Sequence, residues 1–129
     1  MFHLVDSNVI LDIFTADPKW YSWANATLLE YNHHLAINPI IYAEVSIGFK
    51  EIDHFESNIE IFKKLPLPFE AGFLAGKVYM AYRQNKGKRD KVLPDFYIGA
   101  HAAIQNLPLI TRDINIYKTY FPTVKLIHP

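Results

Sequence analysis

The sequence predicts an α/β fold in which helices cover a mostly parallel sheet. Short apolar runs typical of buried strands alternate along the chain with longer helical patterns. This alternation favours parallel strands joined by helical crossovers. The chain has 129 residues, half of them apolar and 15% aromatic, which is enough for one hydrophobic core. We therefore expect a single domain over residues 1–129.

The first half of the chain contains helix-start signals next to apolar runs. Ser7 or Asn8 is expected to cap the first helix, and Pro18 and Pro39 are expected to open later ones. In order, the predicted elements are the strand FHLVD (2–6), the helices VILDIF (9–14) and KWYSWANATLLEY (19–31), the strand HLAIN (34–38), the helix IIYAEVSIGF (40–49) and the amphipathic stretch DHFESNIEIFKKL (53–65).

The second half begins with a break at Pro66 and Pro68, which leaves room for a short strand. Pro94 opens a later helix. The elements predicted here are the helix EAGFLAGKVYMAYRQN (70–85), the polar loop NKGKRDK (85–91), the helix DFYIGAHAAIQN (95–106), the strand LPLIT (107–111), the helix DINIYKTYF (113–121) and the strand TVKLI (123–127).

The composition excludes several classes of protein. There are no cysteines, so disulfides, thiol nucleophiles and cysteine-bound zinc are excluded. The formal charge is zero, with 13 basic and 13 acidic side chains, so net charge alone predicts no nucleic-acid partner. Neither a signal peptide nor a run long enough to span a bilayer is evident. We expect a soluble, cytoplasmic protein with no membrane partner.

Four carboxylates lie where α/β proteins place their chemistry. Such folds bind ligands beyond the carboxyl ends of their strands. Asp6 follows the first strand, Asp113 follows LPLIT, Asp95 opens an apolar helix, and Glu44 lies inside another. The crossover rule places Asp6 and Asp113 at one edge of the sheet. Each residue also has an ordinary explanation, such as a turn or a helix cap, and Glu44 has the weakest one because an acid among apolar residues needs a partner.

Clustered carboxylates favour a bound cation. Several ionised acids in apolar surroundings repel one another, and a hard ion such as Mg²⁺ or Mn²⁺ relieves that repulsion. Without histidine or cysteine partners, oxygen donors of this kind suit these two ions. A site of this type can activate water and stabilise a phosphodiester during in-line attack, so no protein nucleophile is required.

Four segments together resemble the PIN-domain nucleases, and most of all the VapC-type toxins of bacterial toxin–antitoxin modules. They are DSNVILD near residue 6, the isolated AEV glutamate, LPDFYIGAHA, and LPLITRDINIYKTYFPTVKLI. The resemblance covers nearly the whole chain, although residues 50–92 match only in general character. It implies a Mg²⁺- or Mn²⁺-dependent endoribonuclease on a small α/β/α sandwich.

The resemblance also implies roles for individual residues. Asp6, Glu44 and Asp95 match the three acids of the family, and Asp113 matches its more variable fourth acid. All four are expected to be catalytic and to bind the metal. Five further residues are expected near the substrate or behind the acids. They are Ser7, Asn8 and Thr111, by their positions in the family motifs, and Lys88 and Arg89, from a basic loop that could hold RNA backbone.

The same resemblance implies three partners, namely an RNA substrate, a cognate antitoxin and a second copy in a homodimer. Other features favour ordinary roles. His33 and His34 are adjacent and do not converge on one ion, so we expect them at the surface. His101 is about 240° around the helix from Asp95 and is not expected to be a catalytic base. Trp20, Trp23 and Leu28 are expected in the core, although they could instead form part of a groove for a partner helix.

Two alternative functions remain open from the residues alone. An α/β phosphatase could use Asp6 as its nucleophile, although that chemistry usually has a second acid where this chain has Asn8. A non-catalytic domain, either a phosphoacceptor or a binding module, could retain the acids only to hold Mg²⁺.

Overall fold

A five-stranded parallel sheet organises the chain. The computed structural model describes residues 1–87 and 93–129, so the predicted RNA contacts Lys88 and Arg89 lie outside the described residues. The elements, in chain order, are β1 (His3–Val5), α1 (Ser7–Phe14), α2 (Tyr21–Glu30), β2 (Leu35–Ile37), α3 (Pro39–Ser46), α4 (Ile52–Asn58), β3 (Lys63–Lys64), α5 (Phe69–Gln84), α6 (Leu93–Ile104), β4 (Leu109–Ile110), α7 (Asn115–Tyr120) and β5 (Leu126–Ile127).

The strands run in the order β3-β2-β1-β4-β5, and every neighbouring pair is parallel. In register, Leu4 of β1 pairs with Ala36 of β2 on one side and with Leu109 of β4 on the other. The chain therefore forms β2 and β3 on one side of β1 first and adds β4 and β5 on the other side later. The reversal between β1 and β4 is the kind of point at which open α/β sheets form ligand crevices. The predicted α/β fold with a parallel sheet flanked by helices is confirmed.

The first helix begins at Ser7, which is itself one of the two expected cap residues. Asp6, in an extended conformation, is the residue before α1, and Ser7 is already the first helical residue. The prediction that Ser7 or Asn8 caps this helix is therefore wrong. The physical reason is that both side chains have other partners, because Ser7 binds Glu44 and Asn8 faces Asp6. Helix α3 starts as expected, with Pro39 in its first turn and the side chain of Asn38 accepting a hydrogen bond from the N–H of Ile41.

The third strand lies inside the stretch that was predicted to remain amphipathic up to residue 65. Helix α4 ends at Asn58, and Lys63 and Lys64 pair with β2 as β3. Ile59 and Phe62, which lie in the segment between α4 and β3, are buried. Burial of these two side chains and pairing with β2 override the helical pattern of the sequence, since tertiary contacts outweigh local propensity.

The core beneath the site is rich in aromatic side chains. Phe96 of α6 is fully buried and contacts the rings of Tyr82, Tyr120 and Phe121 at centroid distances of 5.4, 5.7 and 6.2 Å. Burial of one such ring stabilises the fold by about 1.5–3 kcal/mol. This packing fixes the start of α6, which carries Asp95, relative to α5 and α7. Along the described ranges, no helix is both long enough and apolar enough to cross a bilayer.

Candidate active site

Asp6 lies where the central strand ends, at the reversal point of the sheet. Its backbone N–H donates to the carbonyl of Ile110 at 2.9 Å, so the residue stays attached to β4 as the chain leaves β1. Thr111 immediately follows β4 and is fully buried, and Asp6 is only 3% exposed. The topology thus brings these two side chains together from opposite ends of the sequence.

Several donors converge on one oxygen of Asp6. The hydroxyls of Thr111 and Tyr117 donate to Oδ2 at 2.8 and 3.0 Å, and the amide of Asn8 approaches the same atom at 3.4 Å. Within the described residues, no side chain donates to Oδ1. The carboxylate is therefore held in one orientation through Oδ2, and the backbone N–H of Ser7 adds a further hydrogen bond to it.

The charge of Asp6 is costly in this position. Burial raises the pKa of Asp6 from 3.8 to about 6, and the negative charge of Glu44 acts in the same direction. The hydrogen bonds from Thr111 and Tyr117 oppose this rise because they favour the ionised form. Near neutral pH a nearby cation would therefore stabilise the ionised form of Asp6.

Glu44 approaches the site from α3. Its Oε1 accepts a hydrogen bond of 2.8 Å from the hydroxyl of Ser7, and its side chain is half-buried. The expectation that an acid in this apolar helix needs a partner is met by Ser7. Because Ser7 follows Asp6 directly, this hydrogen bond ties the second carboxylate to the first.

Asp95 and Asp113 lie at the edge of the same cluster. Asp95 is half-buried in the first turn of α6. The pKa of Tyr117 is raised well above its ordinary value by burial and, next, by the charges of Asp6 and Asp95. Asp95 therefore lies near the phenol that binds Asp6. The backbone N–H of Asp113 donates to Thr111 Oγ1 at 3.1 Å, which places Asp113 beside the residue that holds Asp6.

Two features of the site were missed by the sequence reasoning. Tyr117 donates to Asp6, and Arg112 forms a bidentate ion pair with Asp12 through N···O distances of 2.6 and 3.1 Å. Tyr117 belongs to the quoted segment LPLITRDINIYKTYFPTVKLI, so its spacing from Thr111 was an available signal. Asp12 had a weaker signal, since it is an acid on the otherwise apolar first helix.

The three histidines that were expected to have ordinary roles lie where those roles place them. His33 and His34 are exposed. His101 is fully buried, with Nδ1 3.0 Å from the amide of Asn38 and Nε2 2.9 Å from the side chain of Gln105. Burial lowers the pKa of His101, so this histidine is a neutral packing residue. Of the three residues expected in the core, Leu28 is buried, whereas Trp20 and Trp23 are half-buried.

The four predicted acids do not form a closed metal cage. In the part of the chain that the structure describes, no group of three or more aspartate, glutamate or histidine side chains is arranged to hold a metal ion. Mg²⁺ usually binds one or two carboxylates and keeps several waters, so a complete protein cage is not required for it. Oxygen donors next to a carboxylate of raised pKa fit such an ion chemically.

Solved structures with the same fold come from bacterial toxin–antitoxin complexes. DNA-bound VapBC from Salmonella typhimurium matches with a TM-score of 0.77 at 15% identity, covering 99% of this chain and 98% of that one. FitAcB from Neisseria gonorrhoeae matches with a TM-score of 0.73 at 22% identity, covering 99% and 98%. A toxin–antitoxin complex from Klebsiella pneumoniae matches with a TM-score of 0.70 at 24% identity, covering 98% and 97%. At these identities the likeness establishes the fold alone.

The family itself is established by sequence. No curated protein sequence matches this chain. The model of the PIN domain family, however, matches residues 3–122, which include the predicted acids. The chain therefore belongs to the PIN domain family, as the resemblance in its motifs indicated.

Proposed function

We propose that this chain is a metal-dependent endoribonuclease that acts as the toxin of a toxin–antitoxin pair. PIN domains are generally nucleases, and they generally depend on a divalent metal. Family membership therefore supports hydrolysis of nucleic acid in general. The choice of RNA, the use of Mg²⁺ or Mn²⁺ and the toxin role are the proposed specifics.

The observation that carries the proposal is the environment of Asp6. Its carboxylate is buried at the reversal point of the sheet and carries a pKa raised to about 6. Thr111 and Tyr117 nevertheless hold one oxygen with hydrogen bonds that favour the ionised form. A buried acid kept in place at a free-energy cost is typical of functional sites. Because the chain belongs to a family of nucleases, we attribute this free-energy cost to a catalytic role of Asp6.

Each predicted ligand has a role in the proposal. Asp6 and Asp95 hold the metal directly, and Glu44 and Asp113 act directly or through water. When bound, Mg²⁺ or Mn²⁺ supplies positive charge for the phosphodiester and activates water for attack on phosphorus. The chain's other side chains orient these acids: Thr111, Tyr117 and Asn8 fix the carboxylate of Asp6, and Ser7 fixes that of Glu44.

The partners follow from the likeness to known complexes. Several structures with this fold are toxin–antitoxin complexes, which supports a cognate antitoxin for this chain. We also propose that residues 1–129 act as one nuclease domain in the cytoplasm and that two copies associate. Lys88 and Arg89 are proposed to contact RNA phosphates.

Cleavage of total cellular RNA tests the function. The purified chain, free of antitoxin, is incubated with Mg²⁺ or Mn²⁺, and products are compared with those of Asp6→Asn and of the chain in EDTA. We expect discrete products that disappear in both comparisons. Asp53→Asn is the matched control, since Asp53 is an exposed acid in the first turn of α4 and leaves the cluster intact.

Three outcomes would count against the proposal. They are intact RNA with folded protein and either metal, cleavage by Asp6→Asn at the normal rate, and a stable phosphoryl group trapped on Asp6. The last would favour the phosphatase or phosphoacceptor alternative. Binding of Mg²⁺ without cleavage of any RNA would favour a non-catalytic binding module.

A further inference from the structure

A cavity of about 360 Å³ lies at the carboxyl ends of β2 and β3, and we call it the β2–β3 cavity. Ile37, Pro39 and Tyr42 line it from β2 and α3, and Leu65 and Pro66 line it from the segment after β3. These walls are mostly apolar. A cavity of this size and character, beyond the carboxyl ends of parallel strands, is suited to bind a small ligand or one part of a larger one.

The sheet places the β2–β3 cavity beside the candidate active site. Asp6, Asn38 and Leu65 directly follow β1, β2 and β3, which are three neighbouring strands. The pairing registers of these strands set the three residues side by side. Neighbouring strands are about 4.8 Å apart, so the backbone at the cavity lies about 10 Å from the backbone of Asp6. A nucleotide close to the cleaved bond could therefore reach the cavity.

Tyr42 is a fixed wall of the cavity. Its hydroxyl donates to Oε2 of Glu56 at 2.6 Å, and its ring packs edge-to-face on the buried Phe55 at a centroid distance of 4.7 Å. The ring is only half-buried, although it is held at both ends. An ordered, partly exposed aromatic ring is the kind of surface on which an unpaired nucleobase stacks.

A positive charge lies at the rim of the cavity. The ammonium of Lys64 is 5.5 Å from the centre of the Tyr42 ring and forms an ion pair with Glu56 at 2.5 Å. The two side chains of this pair are 55% and 34% exposed, so the pair is weak and a phosphate can compete for Lys64. An apolar cavity with a lysine at its rim is complementary to a nucleotide, which has a flat base and an anionic phosphate.

We propose that the β2–β3 cavity binds one unpaired nucleobase of the RNA substrate against Tyr42, while Lys64 contacts a phosphate of the same strand. The proposal rests on the proposed nuclease function and names the feature of RNA that the chain selects. The side chain of Asn38 is already bonded to the N–H of Ile41 and to the ring of His101, so stacking and not this amide holds the base. A base inside a duplex is not available for such stacking, so we expect selection of single-stranded loops or ends.

RNA binding in EDTA tests the cavity without relying on cleavage. Fluorescence anisotropy compares a single-stranded RNA with a ribose-phosphate oligomer of equal length that carries no bases. The wild-type chain should bind the RNA with bases about tenfold more tightly, as expected for one base stacked on an aromatic ring. Tyr42→Leu should lose most of this difference, and Tyr42→Phe should keep it because the ring remains.

Tyr31→Leu is the matched control. Tyr31 is also half-buried, and its ring packs on that of His3 at a centroid distance of 4.5 Å. His3 begins β1, so this tyrosine lies at the opposite end of the sheet from the cavity. The variant should bind both oligomers as the wild-type chain does. Urea unfolding of each variant shows that the compared chains are folded.

Lys64→Ala tests the phosphate contact. It should weaken binding of the two oligomers by the same factor, because both carry the same phosphates. It should also reduce the slope of log affinity against log salt concentration by about 0.7, the value for one phosphate contact on a single strand. A loss confined to the RNA with bases would contradict the role given to Lys64.

The outcomes separate this proposal from the nuclease proposal. A Tyr42→Leu chain that distinguishes the two oligomers as well as the wild-type chain does would overturn the cavity as a base site, and so would an equal loss in Tyr31→Leu. Loss of antitoxin binding in Tyr42→Leu, with base-dependent RNA binding unchanged, would assign the cavity to the antitoxin instead. Base-dependent binding that Tyr42→Leu removes, in a chain that cleaves no RNA, would support the cavity and overturn the nuclease.

Discussion

Tyr117 and Asp6 are 111 positions apart in sequence, and the phenol of the first donates a 3.0 Å hydrogen bond to Oδ2 of the second. Both residues are buried, at 1% and 3% exposure. Burial raises the pKa of Tyr117 well above its ordinary value, so the phenol keeps its proton and remains a donor. The hydrogen bond lowers the pKa of Asp6 against the larger effect of burial. Tyr117 thus favours the charged form of the acid that a metal would bind.

Tyr117→Phe should weaken metal use without removing any acid. Loss of a hydrogen bond to a charged group costs about 1.5–3 kcal/mol, so the metal concentration for half-maximal cleavage should rise roughly tenfold or more. The pKa of Asp6 should also rise above about 6. Protons then compete better with the metal. The loss of cleavage rate relative to the wild-type chain should therefore be larger at pH 6.5 than at pH 8. Cleavage rates measured against Mn²⁺ concentration at the two pH values give the comparison.

Tyr120→Phe is the control for this variant. Tyr120 lies in the same helix, and its ring packs on Phe96 at 5.7 Å, so the substitution keeps the aromatic contact while removing a hydroxyl. It should leave the metal dependence unchanged. An equal deficit for Tyr117→Phe at both pH values would mean that the phenol does not act through the ionisation of Asp6.

The alternation of apolar runs and helical patterns was sufficient to predict the fold class. Four of the five strands fall inside the predicted segments, because buried parallel strands are read from short runs such as HLAIN. β3 was misplaced for a physical reason. Lys63 and Lys64 are exposed, and their strand conformation comes from pairing with Ala36 and Ile37 of β2. A pairing partner 27 residues away leaves no periodic signal in the strand itself.

Asp6→Asn should stabilise the metal-free fold at neutral pH. The pKa of Asp6 is about 6 in the folded chain and 3.8 ordinarily, so folding favours the protonated form. The contribution of the protonated Asp6 carboxyl to the free energy of unfolding is fully present below about pH 3.8 and is lost as the pH rises through 6. Two pKa units correspond to about 3 kcal/mol at pH 7.5. Asparagine stays neutral, so its advantage should appear at pH 7.5 and vanish near pH 4.

Urea unfolding in EDTA measures this difference between the two chains at both pH values. Saturating Mg²⁺ should remove the advantage of Asp6→Asn at pH 7.5, because a bound cation stabilises the wild-type carboxylate. Asp53→Asn, which changes an exposed acid, is the control. A less stable Asp6→Asn chain at pH 7.5 in EDTA would contradict the raised pKa.

The sequence pointed to the acids more readily than to the side chains that hold them. Asp6 and Glu44 stand out because a carboxylate beside apolar runs is unusual. The direction in which Tyr117 or Arg112 points is set by packing between α7, β4 and α1, and no local pattern encodes it. The partner of Asp12 is 100 positions away in sequence, so their ion pair is visible only once β1 and β4 are adjacent.

Arg112→Ala should destabilise the fold more than an exposed ion-pair deletion does. The side chain of Asp12 is only 5% exposed, so removing its cation leaves a buried carboxylate uncompensated, whereas Arg112 itself is 32% exposed. We expect a loss of about 2 kcal/mol in the free energy of unfolding, less than for a fully buried pair. Arg112→Lys should restore only part of it, because lysine cannot make the two parallel hydrogen bonds that Arg112 makes.

A double-mutant cycle separates the pair from its surroundings. Arg112→Ala combined with Asp12→Ala should be more stable than Arg112→Ala alone, because the stranded charge is removed with its partner. Lys64→Ala is the comparison, since Lys64 and Glu56 form a pair at 2.5 Å with side chains 55% and 34% exposed, and exposed pairs contribute little. Urea unfolding at pH 7 is measured for the wild-type chain, both single variants, the double variant and Lys64→Ala. If Arg112→Ala were as mild as Lys64→Ala, the Asp12 carboxylate would have to be solvated, and the ion pair would not anchor β4 to α1.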